Sequence, residues 1–367
     1  MTPPSRAAAQ AGGDPGNSGN PGGSSGGNAS NAGHRKRPGM HDVARLAGVS
    51  HQTVSRVLNG SDGVSSRTRA VVLAAIEELG YRPNSAARTL VTGRSKVLGL
   101  VTIGGALYGP MSMLYGVESA AREEGYILTV ANVGGGEGGS VERAVNRLEH
   151  QGVEGIIVVA PLTSVGESLE SMARHLPLVA IESSVGHGMP VIAVDQSAGA
   201  RLATEHLLGL GHATVWHVAG PTHWYEAQDR ITGWTTALRE AGVDVPPLLH
   251  GDWSASTGYD AGQILSRMPD VSAVFVANDS MAVGVLRALR ENGRDLPGDI
   301  SVVGFDDIPE AGYFSPPLTT VRQPFEEVGR RSLKALLAQI GSGDADHGRV
   351  VIAPELVVRE STAPPRH

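Results

Sequence analysis

The sequence predicts a small all-α helix-turn-helix unit followed by an α/β core of two doubly wound lobes. Three observations lead to this fold class. Two short amphipathic patterns flank a glycine at residue 48, continuous apolar runs alternate with helical patterns from residue 97 onward, and the charge reverses sign between these two regions. At 367 residues, the chain has room for two or three domains of ordinary size.

Residues 1–37 are predicted to form a disordered tail. The first 33 residues contain no valine, isoleucine, leucine or aromatic side chain and are dominated by glycine, serine, asparagine, proline and alanine. Such a segment buries too little apolar surface to offset the entropy lost on ordering. The whole chain, with 41% hydrophobic and 18% charged residues, is nevertheless typical of a folded protein.

The composition also argues against several kinds of site. Because the chain has no cysteine, it has no disulfide and no thiolate metal ligand, and its histidines show no metal-ligand spacing. We therefore expect no metal and no cofactor. No apolar run reaches the roughly 18–20 residues that cross a bilayer, and no secretory signal is visible. These features favour a cytoplasmic protein without a membrane partner.

Charge is distributed unevenly along the chain. Residues 34–94 contain ten arginines and lysines against four acidic residues, whereas residues 97–367 contain 18 basic and 32 acidic residues. A cationic unit joined to an anionic one suggests that only the first meets a polyanion such as DNA.

The basic unit, residues 38–83, carries the pattern of a helix-turn-helix. Asp42 is predicted to cap a first helix, Gly48 to provide the turn, and Ser50 to cap the second helix. A third helix is predicted between Ser65 and Gly80. The residues expected to face the core are Val43, Leu46, Ala47, Val54, Val57, Leu58, Val71, Ala75, Ile76 and Leu79.

In a helix-turn-helix, the second helix lies in the major groove of DNA. Its outward side chains are therefore candidates for DNA contacts. Gln52 can pair with adenine, Arg56 with guanine, and His51 with a base or a phosphate. Ser50, Thr53, Ser55 and Asn59 are short polar side chains suited to phosphate oxygens.

The segments DVARLAGVSHQTVSRVLNG (42–60) and VSSRTRAVVLAAIEELGYRPNSAARTL (64–90) resemble the DNA-binding headpiece of the LacI/GalR family of bacterial regulators. The resemblance implies that His51, Gln52 and Arg56 read bases. It also implies that residues 84–96 form a hinge helix and linker that fold only in a dimer on DNA. The expected hinge contacts are Asn84, Ala87 and Leu90, with Leu90 inserted into the minor groove.

From residue 97 to residue 361, the sequence predicts parallel sheets covered on both faces by helices. Strand-like runs cover residues 97–103, 126–131, 155–160, 177–181, 191–195, 214–220, 271–279 and 300–307, with a last run at 356–360. So many strands favour two doubly wound lobes over one sheet. Residues 362–367 are predicted to be a short tail.

Ligands of such sheets bind beyond the carboxyl ends of the strands, and polar and aromatic residues cluster there in the sequence. The candidates are Tyr108, Glu182, Trp224, Arg230, Trp253, Asn278 and Asp306. Carboxylate, amide and guanidinium groups can bind sugar hydroxyls, and flat rings can stack on sugar C–H faces. This combination favours a carbohydrate ligand. Asp279 and Asp307 are interpreted as helix caps, and Trp234 as a core residue.

The resemblance to the LacI/GalR family extends through this region to about residue 360. It rests on GDWSASTGY (251–259), VANDSMAVGVLRAL (276–289) and DISVVGFDDIPEAGYFSPPLTTVRQPF (299–325). It implies a periplasmic-binding-protein-like core and adds Gln323 and Phe325 to the effector-binding residues.

The sequence therefore predicts a homodimeric repressor that binds a pseudopalindromic double-stranded DNA operator and is released by a small sugar, with a disaccharide or β-glycoside favoured. The absence of a heptad segment after the last strand favours a dimer over a tetramer. Two alternatives remain open: a corepressor such as a purine or a sugar phosphate, or a soluble sugar-binding protein. An enzyme is not expected, because no base beside a nucleophile and no phosphate-binding loop is found.

Overall fold

The computed structural model describes residues 38–366 except 59, 61–62, 83–88, 90–92, 105–106, 135–137, 164–165, 183–187 and 343–347. The chain divides into two compact units, Met1–Asn84 and Ser85–His367. The predicted tail at 1–37 and the predicted DNA contacts Asn59, Asn84, Ala87 and Leu90 lie outside the described residues.

The first unit contains three helices: α1 (Met40–Ala47), α2 (His51–Leu58) and α3 (Ser66–Leu79). Gly48 joins α1 to α2 with a φ of 64°, a conformation that glycine adopts without steric cost. Val43, Val54 and Val72 are completely buried between the three helices. This arrangement confirms the predicted helix-turn-helix.

Three details of the first unit differ from the prediction. Asp42 is not the N-cap of α1; Gly39 is, and Asp42 binds its backbone N–H from the third helical position at 2.9 Å. Leu46 and Val71, which were expected in the core, are 45% and 44% exposed. On α3 the buried stripe passes through Val72 instead, because the series 72, 75/76 and 79 follows the helical repeat and residue 71 lies beside it.

The second unit contains two six-stranded sheets with the same strand order. The strands of the first sheet are β1 (Val97–Ile103), β2 (Ile127–Val133), β3 (Ile156–Val159), β4 (Leu178–Ile181), β5 (Val191–Val194) and β11 (Arg349–Ile352). They are all parallel and lie in the order β11-β5-β4-β3-β1-β2. Helices α4 (Tyr108–Glu123), α5 (Gly138–His150), α6 (Gly166–Ala173) and α11 (Phe325–Ser342) belong to this lobe, which we call the N-lobe.

The strands of the second sheet are β6 (Trp216–Ala219), β7 (Leu249–His250), β8 (Ala273–Val276), β9 (Ser301–Asp306), β10 (Thr319–Arg322) and β12 (Glu355–Val357). They lie in the order β12-β10-β9-β8-β6-β7, and β12 is antiparallel to its neighbour β10. Helices α7 (Gln196–Gly209), α8 (Tyr225–Glu240), α9 (Ala255–Leu265) and α10 (Asp279–Glu291) cover it, and a 3₁₀ turn spans Pro309–Tyr313. We call this lobe the C-lobe.

The chain passes between the two lobes three times, at Asp195, at Gln323–Pro324 and at residues 353–354. The first and third crossings are joined by a hydrogen bond from the Asp195 backbone N–H to the Ile352 carbonyl, at 2.9 Å. Three adjacent crossings form a hinge about which two rigid lobes can close on a ligand. The fold therefore confirms two doubly wound lobes.

Three short strands, β7, β10 and β11, were missed by the sequence analysis. β7 has two residues, and β10 and β11 were not among the predicted runs. The C-terminal residues 362–366 are not a free tail, because the Ala363 carbonyl accepts a hydrogen bond from the Ser301 hydroxyl and the Arg366 guanidinium pairs with Asp295. Among the described residues, no helix is both long and apolar enough to cross a membrane.

Candidate functional site

Helix α2 presents the side chains predicted to contact DNA. His51, Gln52 and Arg56 are exposed, whereas Val54 and Val57 on the opposite face are buried. Ser50 caps the helix as predicted, since its hydroxyl accepts the Thr53 backbone N–H at 3.1 Å. The exposed face is therefore polar and cationic, which suits DNA, and the buried face holds it against α1 and α3.

The sequence analysis missed His41 on α1. Its ring stacks on that of His51 with centroids 4.6 Å apart and planes at 30°. This contact restricts the orientation of a predicted base-reading side chain. The sequence signal was the occurrence of a histidine near the start of each of two helices joined by a tight turn.

We expect His41→Ala to relax base selectivity at the position read by His51, because the unsupported ring samples more rotamers. The change in selectivity should be about threefold to tenfold, as expected for loss of one aromatic pair. His41→Phe keeps an aromatic ring against His51, so this variant should retain the wild-type base selectivity. Selection of binding sites from a random DNA library measures this, and unchanged site preference in His41→Ala would exclude the role.

A cleft between the two lobes lies at the carboxyl ends of the strands and is open to solvent. The N-lobe contributes the first turns of α4, and the C-lobe contributes the loops after its strands. The cleft is lined by Leu107, Tyr108, Gly109, Pro110, Met113, Trp224, Glu226, Arg230, Trp253, Asn278, Asp306 and Gln323.

Two tryptophans form an aromatic corner of the cleft. Trp224 immediately precedes α8, and its ring meets that of Trp253 edge-on, with centroids 5.7 Å apart and planes at 76°. Gly220 permits this, because a Cβ there would overlap the Trp253 ring. Within the described part of the chain, the buried indole N–H of Trp253 has no acceptor, so its hydrogen-bonding capacity is unmet.

The polar floor of the cleft is a hydrogen-bonded chain. Arg230 Nε donates to Gln196 Oε1 at 2.9 Å, and Gln196 Nε2 donates to Gln323 Oε1 at 2.9 Å. Gln323 Nε2 in turn donates to Asp306 Oδ1 at 2.7 Å. The Arg230 guanidinium also donates to the Ala277 carbonyl and lies 3.9 Å from Asp306 Oδ1. The floor therefore has little freedom to rearrange.

Gln196 belongs to this floor but was missed by the sequence analysis. It follows β5 directly, so the rule that ligands bind at strand ends could have found it. It is 2% exposed, and its amide uses both its oxygen and its nitrogen in the chain.

Asp306 is held in an unusual backbone conformation, with a φ of 114°. Burial raises the pKa of its carboxyl group to about 6, although Arg230 and the bond from Gln323 favour the ionised form. Positive φ at a non-glycine residue costs free energy and is concentrated at functional sites. Trp253, with a φ of 75°, shares this feature.

Glu182 lies behind the cleft, fully buried and not among the lining residues. Its Oε1 accepts the Val194 backbone N–H at 2.7 Å. Burial, and then the nearby Glu226, raise the pKa of Glu182 to about 8. We interpret it as a support of the first hinge crossing, since it binds the last residue of β5.

The raised pKa of Glu182 makes stability depend on pH. In the unfolded chain the carboxyl ionises near pH 4.5, but in the folded core only near pH 8, so the folded state holds the extra proton between these values. The free energy of unfolding of the core should therefore fall as pH rises through this window. Glu182→Gln should reduce the fall in denaturant melts, and an unchanged slope would contradict the assignment.

Two further predicted effector residues have structural partners. The Asn278 side chain lines the cleft, but it caps α10 by accepting the Met281 N–H at 2.9 Å and donates to the Trp253 carbonyl at 3.1 Å. Phe325 does not line the cleft. It begins α11 and packs edge-on against Tyr108, with centroids 5.9 Å apart, so it supports the cleft wall.

The two aspartates interpreted as helix caps are not caps. Asp279 is buried within α10 and accepts hydrogen bonds from the Thr320 hydroxyl and the Ile308 N–H. Asp307 is paired with Arg322 and Arg359. Trp234 is a core residue as predicted, 1% exposed with its indole N–H bound to the Val215 carbonyl. Among the described residues, no group of acids and histidines could hold a metal ion.

Comparison with known proteins matches both units. Residues 39–84 match the model of bacterial regulatory proteins of the lacI family, and residues 204–362 match that of the periplasmic binding protein-like domain. The chain is 36% identical to the lactose operon repressor of Escherichia coli K12 over 328 residues, which is 89% of this chain and 91% of that one. It is 37% identical to the regulator CelR of Thermobifida fusca over 344 residues, 89% of this chain and 99% of that one.

Solved structures agree with these relatives. The lac repressor dimer bound to operator and the anti-inducer ONPF has a TM-score of 0.82 at 35% identity, covering 89% of this chain and all of that one. The complex of the transcriptional regulator CelR with cellobiose has a TM-score of 0.66 at 34% identity, with the same coverage. The chain belongs to the lacI family of bacterial regulatory proteins and is a sequence-specific DNA-binding transcriptional regulator.

Proposed function

We propose that this chain is a homodimeric repressor of carbohydrate-utilisation genes, released from a pseudopalindromic operator when a small sugar binds between its lobes. The observation that carries the proposal is the cleft, in which the aromatic corner of Trp224 and Trp253 lies beside the polar floor of Arg230, Gln323 and Asp306.

The cleft matches the two chemical aspects of a sugar. The aromatic rings offer apolar surface to sugar C–H groups, and Asp306 and Gln323 offer acceptors and donors to adjacent hydroxyls. The free indole N–H of Trp253 suits a hydroxyl or ring oxygen. A purine would stack equally well, but it would leave the chain of amides and carboxylates on the floor with fewer partners.

Two tryptophans at a steep angle offer stacking surfaces in two orientations, which favours a disaccharide or β-glycoside. Two similar proteins support this class, since one structure is a complex of CelR with cellobiose and one relative is the lactose operon repressor. Tyr108 and Met113, from the first turns of α4, would contact the sugar from the N-lobe side.

The DNA interface we propose comprises the exposed face of α2 and the hinge segment. Its residues are Ser50, His51, Gln52, Thr53, Ser55, Arg56, Asn59, Asn84, Ala87 and Leu90. A similar protein of known structure is a dimer bound to its operator. Two-fold symmetry of a dimer is mirrored by a pseudopalindromic site, so each headpiece reads one half-site.

Release from DNA follows from linkage between the two sites. A sugar can shift the repressor only if it binds more tightly to the conformation that fits DNA poorly. A ligand with the opposite preference would be a corepressor. The relatives include a ribose operon repressor beside the lactose operon repressor, so regulators similar to this chain serve different sugar operons. We place the protein in the cytoplasm, where its operator is, and assign it no enzymatic activity. The attached headpiece disfavours a transport binding protein.

The proposal is tested by a melting-temperature screen of the full chain with cellobiose, lactose, maltose, ribose, glucose 6-phosphate and hypoxanthine. Any compound that raises the melting temperature is then added to the complex with operator DNA selected from a random library. We expect a neutral sugar both to stabilise the protein and to release the DNA. Stabilisation by hypoxanthine or the sugar phosphate with tighter DNA binding would establish the corepressor alternative instead.

A further inference from the structure

Glu226 is an unpartnered buried acid in the wall of the cleft. It lies in the first turn of α8, is 7% exposed and lines the cleft together with Trp224 and Arg230. In the part of the chain that the structure describes, its carboxyl group makes no hydrogen bond and interacts with other charges only through space. The Glu226 carboxyl oxygens are not among the fully buried atoms without a partner, so they reach the cleft and are free to bind a ligand.

A structural role does not account for this residue. An acid in the first turn of a helix is stabilised by the helix dipole, but that effect is available at the surface and needs no burial. The nearest cation, Arg230, is committed elsewhere. Its Nε donates to Gln196, its Nη1 donates to the Ala277 carbonyl, and its plane lies 3.8 Å from the centroid of the Phe305 ring.

The charges facing the cleft are predominantly negative. Among the described lining residues, Glu226 and Asp306 are acids and Arg230 is the one cation. Glu182 adds a further acid behind the wall, and Asp229 follows on α8. A phosphate or carboxylate on a ligand would meet two acids and a single guanidinium, which already faces Asp306 at 3.9 Å. A hydroxyl or an ammonium group would instead find a free acceptor.

We propose that Glu226 makes the cleft selective for neutral or cationic sugars over anionic ones, by accepting a hydrogen bond from a sugar hydroxyl or amine. The inference rests on the proposed sugar-binding function and defines which sugars that function includes. The indole N–H of Trp253 provides a complementary donor at the same wall. A ligand that satisfies both presents one donor and one acceptor at neighbouring positions.

Binding at Glu226 is also linked to protons. Burial raises the pKa of Glu226 to about 7; Arg230 opposes this shift, and Asp306 and Asp229 contribute to it. Glu182 and Tyr108 are the other titratable groups near this wall. A hydroxyl that donates to the carboxylate favours its ionised form, so a neutral sugar releases a proton on binding. Its affinity therefore rises with pH through about 7, whereas the affinity of a sugar phosphate falls.

The test is calorimetric titration of the full chain with two matched sets of probes. The first set is glucose, glucosamine and glucose 6-phosphate, and the second is cellobiose, the disaccharide of glucosamine, and cellobiose 6-phosphate. In the set that binds, we expect the phosphorylated member to bind at least about tenfold more weakly than the neutral one, which is the effect of one charged hydrogen bond replaced by repulsion.

Glu226→Gln should bring the neutral and phosphorylated members within about threefold of each other and remove the pH dependence. Glu226→Asp, which keeps the charge, should retain the discrimination. Glu240→Gln is the matched control, because it removes an exposed acid from the same helix. Melting curves establish that each variant is folded.

Equal or tighter binding of the phosphorylated sugar, or an unchanged ratio in Glu226→Gln, would overturn the role of Glu226 while leaving a sugar site in place. Absence of heat with every member of both sets would contradict the proposed sugar function itself, and this inference with it.

Discussion

Replacing Asp306 with asparagine is expected to give a repressor that binds its operator normally and fails to respond to sugar. Asp306 is the acid that ends the polar floor, held by the Gln323 amide at 2.7 Å and facing Arg230 at 3.9 Å. Asparagine keeps the shape and tolerates the φ of 114° better than most residues. It loses the negative charge, and hydrogen bonds to charged groups contribute about 1.5–3 kcal/mol.

Sugar affinity of Asp306→Asn should therefore fall by about tenfold to a hundredfold in calorimetry, and the operator complex should persist at sugar concentrations that release the wild type. Asp270→Asn is a suitable control, since this exposed aspartate lies in the same lobe before the amino end of β8, whereas the cleft lies beyond the carboxyl end of that strand. Release of DNA by Asp306→Asn at the wild-type sugar concentration would show that the effector binds elsewhere.

Arg56→Ala is expected to weaken binding to the selected operator by about 1–3 kcal/mol and to relax selectivity at one base pair in each half-site. Arg56 is exposed on α2, and its guanidinium can make two hydrogen bonds to guanine. Because the side chain lies on the face opposite Val54 and Val57, its removal leaves the core of the headpiece intact.

Arg67→Ala provides the comparison for Arg56. Arg67 is an exposed arginine on α3, so its loss removes the same charge without removing a base contact. It should weaken binding to all sequences by a similar factor and reduce the salt dependence. Gel-shift titrations on a set of single-base operator variants distinguish the two outcomes, and a uniform loss for Arg56→Ala would assign it to the phosphates.

The fold was predictable wherever local sequence and burial agree. Local sequence allows only one kind of element at several places, and the structure confirms the prediction at each. These places are the Gly48 turn, the Ser50 cap and the continuous apolar runs of β1, β8 and β9. Leu46 and Val71 were misplaced because a helix of eight to fourteen residues allows neighbouring stripes that differ by one residue. The two residues of β7 carry too little pattern to predict a strand.

The cleft was predictable only in part. Asp306 is the last residue of β9, and the rule that ligands bind at strand ends locates it. Trp253 follows the unpredicted strand β7 by three residues and was found only as an aromatic residue in a loop. Glu226 was missed because its importance depends on what lies across the cleft, which sequence separation does not reveal. Gln196 follows a predicted strand and could have been found by the same rule. Phe325 and Glu182 show the opposite case. The resemblance placed Phe325 at the ligand and the strand-end rule placed Glu182 there, but in the structure both lie behind the cleft.

The hydrogen bond between Gln196 and Gln323 joins two hinge crossings and also forms part of the floor of the cleft. Substitutions there would alter ligand choice and lobe closure together, so most would disable the switch. Trp224, Glu226 and Tyr108 lie outside this bond and can change one at a time. Substitutions that adapt the cleft to new sugars should therefore accumulate in its walls, while the floor residues are preserved. Differences in effector between such proteins would then map to the residues that can change without affecting lobe closure.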